Sequence, residues 1–334
     1  MNRLLSINRK QAAMNKDKSR FSLPCSLFIV MCYLILPFLF FSCESETQTE
    51  QPQRTGDSPL EVVRSLAEDN RQLSDSASRS TVSHSPEIKE ILDRGYVIFG
   101  MTAADQKPFF YKEPETGELI GLDVELGYAI AKGMGVRAVF NRDATSFDGV
   151  VTKVINREVD IALSKLSRTM RRSELVRFTT PYIIFRQALL INRLEYAKIG
   201  TEAQLPHFIR NYHGSLGVIV NSSYQNYALT NFPDADIRTF DDWGSTVNAL
   251  FNGEVLAIYR DEGEILIVNT TREDASILMK PVFIGDKRDP IAMAVSADAP
   301  QLQSWLNIFL DDYLLQHHRE LTPRRLIERH FGNN

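Results

Sequence analysis

The sequence predicts an α/β fold whose sheets are covered on both faces, and three observations carry this. From Pro86 onward, short apolar runs that read as buried strands alternate with stretches of helical spacing. The alternation closes with two successive helices and no strand between them. The 334 residues are 43% hydrophobic with only 17 Gly and 14 Pro, which suits a globular core and excludes low-complexity or collagen-like chains.

Ser85-Pro86-Glu87 opens a helix, with Pro in the first turn, and Gly95 stops it. YVIFGM (Tyr96 to Met101) is a buried strand. LDVELGYAIAKGMGV (Leu122 to Val136) carries apolar residues at helical spacing. AVF (Ala138 to Phe140) is a strand, FDGVVTKVI (Phe147 to Ile155) a helix, and DIALS (Asp160 to Ser164) a strand. LGVIV (Leu216 to Val220) comes next, followed by helices over SYQNYALTNF and WGSTVNALFNG. VLAIY (Val255 to Tyr259) precedes a helix from about Glu262 to Val268, and LQSWLNIFLDDYLL and RRLIERHF are the closing helices.

The first 43 residues read as an address. A basic stretch ending at Arg20 precedes an uncharged apolar run, Pro24 to Phe41, in the layout of a secretory signal. The run also matches an uncleaved anchor helix of minimal length, a reading that Pro37 weakens. Cys43 follows directly, and a cysteine in that position resembles the lipobox of bacterial lipoproteins, with Phe40 and Phe41 in place of the usual Leu and small residue. The resemblance implies removal of the signal, lipidation of Cys43, and a mature chain in the periplasm or cell envelope. No cysteine occurs from Glu44 to Asn334, so disulfides, thiolate metal sites and a cysteine nucleophile are excluded there. Glu44 to Ser85 is polar and free of aromatics and is expected to be a largely disordered tether, although Val62, Val63 and Leu66 would line one side of a short helix.

Charge excludes one partner class. Six of the 38 bases and one of the 42 acids precede Cys43, which leaves 32 against 41, a net −9 for the remainder. A nucleic-acid surface normally has the opposite sign. Conventional catalytic signatures are missing: there is no GxxxxGK[ST], GxSxG, HExxH or GxGxxG. The six histidines show no metal-ligand spacing. No catalytic residue, metal or cofactor is expected.

What remains is a set of polar residues after predicted strands, where open α/β sheets bind ligands because helix N-termini and loops converge. Lys165, Ser167, Thr169 and Arg172 follow DIALS. Asn221, Ser222, Ser223 and Tyr224 follow LGVIV and open a helix whose free amides favour an anion or carbonyl oxygen. Arg260, Asp261 and Glu262 follow VLAIY. Taken singly, each has a plain structural reading, Thr169 as a helix cap and Arg172 as a solvated charge.

Taken in order, four stretches resemble the family 3 extracellular solute-binding proteins, the polar amino-acid receptors of bacterial ABC importers. PFFYKEPETGELIGLDVELGYAIAKGMGV resembles the family's PF, hairpin and G-aromatic-D before a helix, with Leu122 replacing the aromatic. FDGVVTKVINREVDIALSKLSRTMRRSELVRFTTPY resembles its signature of helix, "VD" strand, Ser/Thr turn, Arg and "F-S/T-x-PY". LGVIVNSSYQNY and LFNGEVLAIYRDEGE resemble the second-lobe strands, with Leu256 in place of the usual Asp. The resemblance covers about Pro86 to Gly332. It implies the type II periplasmic-binding-protein fold: two α/β lobes, two hinge crossovers, and closure on ligand by hinge motion. The crossovers are expected near Gln187 to Arg193 and Pro290 to Ser296. Lobe 1 is then 86–190 plus 293–334, lobe 2 is 191–292, and the protein acts as a monomer.

An α-amino acid needs a fork of donors for its carboxylate and a separate acid for its ammonium. The resemblance implies Arg172 for the carboxylate, its guanidinium able to grip both oxygens, and Asp261 for the ammonium. Ser167, Ser222 and Ser223, with Ser164 at the strand end, complete the polar contacts. Phe147 would cover the ligand side chain and Phe109 lie near the same wall. Gln106, Lys165 and Tyr224 depart from the residues common in the family. Lys165 and Arg260 near the pocket mouth point to an acidic or strongly polar ligand; the alternative is that both face solvent. The expected function is capture of a polar amino acid for a membrane permease. A cyclohexadienyl dehydratase-like enzyme, recruiting Glu262 or Asp261 as acid or base, and a sensory receptor are the alternatives.

Overall fold

The computed structural model describes residues 58–72, 83–199, 201–317 and 321–331. The expected signal segment, Cys43 and most of the tether lie outside the described residues. Among the described residues no helix is long and apolar enough to cross a membrane.

In chain order, α1 (Pro59–Gln72) and α2 (Pro86–Arg94) lead into β1 (Tyr96–Thr102) and the hairpin β2 (Tyr111–Lys112) and β3 (Leu119–Ile120). Then come α3 (Leu122–Met134), β4 (Arg137–Ala144), α4 (Phe147–Ile155), β5 (Ile161–Ala162), α5 (Met170–Ser173) and β6 (Val176–Phe178). The second half holds β7 (Ile183–Asn192), α6 (Arg193–Tyr196), α7 (Leu205–Arg210), β8 (Ser215–Ile219), α8 (Ser223–Asn231), β9 (Asp236–Phe240) and α9 (Trp243–Phe251). It ends with β10 (Ala257–Asp261), α10 (Glu262–Thr271), α11 (Ala275–Leu278), β11 (Met279–Ile291), β12 (Ala294–Ser296), α12 (Pro300–His317) and α13 (Pro323–Phe331).

Two five-stranded sheets result, in the orders β4-β1-β5-β12-β6 and β11-β7-β10-β8-β9. In each, three strands run parallel (β4, β1 and β5; β10, β8 and β9) and the other two join antiparallel. Both faces of both sheets are packed. In lobe 1, Phe99, Leu126, Ile130 and Leu306 fill one side, while Val150, Val154 and Leu166 belong to a second cluster with α4. In lobe 2, Leu216, Phe232 and Tyr259 pack on one side and Leu250, Ile258 and Ile265 on the other. Burying each such side chain contributes on the order of 1.5–3 kcal/mol, so the core holds without disulfides.

Local chemistry sets the helix ends. Ser146, Ser222, Asp242 and Asp261 each accept a hydrogen bond from the backbone N–H three residues on, at α4, α8, α9 and α10. Gly95 closes α2 in the left-handed region at φ 74°. Gly121 precedes α3 at φ 122°, and a Cβ there would sit 2.4 Å from the Phe109 carbonyl oxygen. Only glycine lets the Pro108–Phe109 backbone approach and accept from the Leu122 and Asp123 N–H groups.

Two differences from the sequence reading bear on the site. Part of the expected tether is α1, which packs on lobe 1. Ser58 and Glu61 form reciprocal hydrogen bonds at its start, a capping box, and Val63 is buried. Asn70 accepts from Ala138 N at 2.9 Å, which covers part of the edge strand β4. The lobe boundary also moves. Gln187 pairs with Asp261 of β10, so Gln187 to Ile191 already belong to the second sheet. The crossovers lie side by side earlier in β7, where Ile183 to Arg186 pair antiparallel with Arg288 to Ile291. The apolar run ALLI is a buried central strand and not a free connection, which is why the hinge ladder sits before it. At the other end, α13 lies against β7 and α10 instead of staying wholly on lobe 1.

Candidate functional site

Five segments meet at the junction of the lobes and line a small cavity between them. Lobe 1 supplies Phe147 from the first turn of α4, and Lys165 and Ser167 from the turn after β5. Lobe 2 supplies Ser222, Ser223 and Tyr224 from the start of α8, and Arg260 and Asp261 from the end of β10. Asp289 and Ile291 on β11, at the hinge ladder, form the floor. The turn after β5 is tied to the hinge by Arg168 N to Pro290 O at 2.8 Å and Ala292 N to Leu166 O at 3.0 Å.

Hydrogen bonds and ion pairs cross between the lobes at this point. Lys165 Nζ lies 2.9 Å from Asp261 Oδ2 and 2.7 Å from Glu264 Oε1, under the rings of Phe109 and Phe185 at 5.1 and 5.5 Å. Ser223 Oγ donates to Ser167 Oγ at 2.8 Å, and Arg260 Nη2 donates to Gln106 Oε1 at 2.9 Å. The Arg260 guanidinium stands 5.3 Å from the Phe147 ring, 5.5 Å from Trp243 and 5.9 Å from Tyr224. Both cations are therefore inside the protein, 4% and 3% exposed, which removes the solvent alternative.

Lys165 is held at a conformational cost. Its φ is 47°, a left-handed region costing an L-residue roughly 1–2 kcal/mol. Its N–H donates to Asp123 Oδ2 at 2.7 Å, and Tyr182 OH donates to Asp123 Oδ1 at 2.8 Å. Asp123 is wholly buried, and burial pushes its carboxyl up to about 7 despite these two donors.

The two acids of the cavity differ in kind. Burial alone would raise Asp261, but the charges of Lys165 and Arg260 outweigh it and hold the carboxyl below its ordinary value. Its Oδ1 also accepts from Glu264 N at 3.1 Å. Asp289 is raised to about 6, first by burial and then by the Asp261 charge; the Ser167 and Tyr224 hydroxyls pull it back. Tyr224 OH donates to Asp289 Oδ2 at 3.0 Å, and burial and the Asp289 charge push that phenol well above its ordinary value.

Of the residues expected from the sequence, Phe147, Lys165, Ser167, Ser222, Ser223, Tyr224 and Asp261 line the cavity. Arg172, Phe109 and Ser164 do not. Arg172 is buried beside it, with Nε and Nη2 at 2.9 and 2.8 Å from Asp148 Oδ1 and Nη1 donating to Ser167 O at 3.1 Å. Phe109 reaches the site through the Lys165 ammonium, and Ser164 Oγ accepts from Thr102 N at 3.1 Å. Sequence reasoning missed Asp289 and Ile291 and left Arg260 at the mouth. The remaining enzyme candidate, Glu262, pairs with Arg186 at 2.6 Å and does not line the cavity.

Comparisons with known proteins agree with the fold. The sequence profile of the bacterial extracellular solute-binding proteins, family 3, matches residues 98–332. The L-cystine-binding protein TcyJ of Escherichia coli (strain K12) is 23% identical over 245 residues, spanning 73% of this chain and 86% of that protein. The solved structure of an ancestral amino-acid-binding protein, described as a precursor of cyclohexadienyl dehydratase, has a TM-score of 0.60 at 24% identity, covering 74% of this chain and all of that one. A binding component of an ABC transporter from Wolinella succinogenes, complexed with lysine, matches with a TM-score of 0.60 at 24% identity over 72% and 97% of the two chains.

Proposed function

We propose that this chain, which belongs to the bacterial extracellular solute-binding proteins, family 3, takes a small polar amino acid into the cavity between its lobes and delivers it to the permease of an ABC importer. The curated relatives are named for the amino acids they bind and for ABC transporters, and not as enzymes. We infer further that the amino acid is polar and that a lipid on Cys43 anchors the chain.

One observation carries it: buried cations, acids and hydroxyls from both lobes line one small cavity between them. Contacts on both lobes at once are what lets a ligand favour the closed arrangement, because only differential contacts shift such an equilibrium. Arg260 and the hydroxyls of Ser167, Ser222 and Ser223 would receive the carboxylate. Arg172 would reach it by exchanging Asp148 for the ligand; as arranged, it positions Ser167 through the carbonyl. An acid for the ammonium stands on either side, Asp261 or Asp289.

A micromolar ligand corresponds to about −8 kcal/mol of binding. At a hundredfold excess over Kd it should stabilise the protein by about 2.7 kcal/mol. A thermal-shift screen of the proteinogenic amino acids should therefore single out one or a few that raise Tm. A response to none of them would sink the proposal. For the anchor, Cys43→Ala should release the protein from membranes to the soluble fraction; unchanged membrane retention would point to the uncleaved helix instead.

A further inference from the structure

Resting on the reading of the cavity as an amino-acid site, we propose that the ligand's ammonium is held by Asp289 on the hinge strand, and that Asp261 is already taken by the protein's own Lys165. Both oxygens of Asp261 are engaged from within the chain. Oδ2 faces Lys165 Nζ at 2.9 Å and Arg260 Nε at 3.5 Å, and Oδ1 caps α10 through Glu264 N at 3.1 Å. The Lys165 ammonium, shared with Glu264 Oε1 at 2.7 Å, stands against Asp261 as a substrate ammonium would.

Asp289 is the reverse case. It is 1% exposed and lines the same cavity, and its Oδ1 has no well-formed hydrogen bond among the described residues, although the Ser167 hydroxyl, which accepts from Ser223, stands near the carboxyl. Its other oxygen accepts from Tyr224 OH at 3.0 Å, which fixes the carboxyl plane. A buried carboxylate oxygen without a donor is rare in folded proteins because its lost hydration is uncompensated, and a donor arriving from the ligand recovers it. The nearest cations are already committed, Lys165 to Asp261 and Glu264, Arg260 to Gln106 and Asp261. At pH 7.5 the carboxyl, at about 6, is an anion. Its place on β11 at the hinge ladder means that an ammonium bound there touches the strand about which the lobes turn, with Ser167 of lobe 1 and Tyr224 of lobe 2 on either side. The ligand class is thus an α-amino acid whose ammonium points to the cavity floor, with its carboxylate toward Arg260.

The test titrates the amino acid with the largest thermal shift into wild type and Asp289→Asn. Loss of one charge-assisted hydrogen bond should weaken binding to Asp289→Asn roughly ten- to a hundredfold. Binding by the folded Asp289→Asn within about threefold of wild type overturns the assignment and leaves the amino-acid reading standing. No binding of any amino acid by wild type sinks both. Because the variant can misfold, a crystal structure of the wild-type complex gives a second reading. The ligand nitrogen should lie about 3 Å from Asp289 Oδ1 with Lys165 still on Asp261. A nitrogen on Asp261 with Lys165 displaced refutes the inference.

Discussion

Replacing Lys165 by Met is expected to lower the unfolding free energy by about 3–5 kcal/mol, the cost of removing one member of a buried ion pair. That corresponds to a fall of roughly 10 °C in Tm for a chain of this size. The methionine keeps an apolar stem against Phe109 and Phe185, so the change isolates the charge. It leaves Asp261 and Glu264, both nearly inaccessible, on adjoining turns without their shared cation. Burial then raises the Asp261 carboxyl unopposed by Lys165. A carboxyl whose folded-state pKa exceeds its unfolded value loses stability as pH rises through it, so the defect should be larger at pH 8 than at pH 5. Adding Glu264→Gln should recover part of the loss. Urea unfolding at the two pH values measures all three. A single variant within 1 kcal/mol of wild type at both would mean that desolvation of the ammonium already offsets the attraction.

The fold was largely legible because its signals are local. FDGVVTKVI forms a helix with the expected ends, since Ser146 caps it and its apolar residues share one face. Ser85-Pro86 and Gly95 bound α2 as their chemistry dictates. The capping box of α1 is equally local, Ser58 followed three residues later by Glu61, but the polar composition around it pointed to a tether. Its stability comes from burying Val63 on lobe 1, a contact the composition of 44–85 does not announce. The hinge was misplaced because FRQALLIN changes from an alternating to a fully buried pattern within one strand.

The site was legible where strands end and helices begin. Ser222, Ser223 and Asp261 sit at such junctions, so the topology brings them together whatever their partners. Burial of Lys165 and Arg260 was not legible, because it depends on Glu264, Asp261 and Gln106, which are distant in the chain from one or both. Asp289 gave no signal at all. It lies in KRDPIAM, a segment that reads as a connection, and only the pairing of β11 with β7 carries it to the cavity floor. Arg172 shows the opposite limit: its position in the chain matches a known pattern, yet Asp148 occupies its guanidinium.

The second large effect is on binding. Ser223 is the first residue of α8, on the face of lobe 2 that meets lobe 1, and its hydroxyl touches that of Ser167. Ser223→Trp places an indole where the lobes meet. Either it fills the cavity, or it props the lobes apart; in both cases a ligand loses its contacts with one wall. Packing within lobe 2 is little disturbed because the side chain points out of that lobe's core, so Tm should stay close to wild type. Calorimetric titration of wild type and Ser223→Trp with the amino acid found by the thermal screen settles where the ligand goes. One-to-one binding by wild type and at least a hundredfold weaker binding by the folded variant is the predicted result; equal affinity in the two would place the ligand outside the cavity between the lobes and contradict this account.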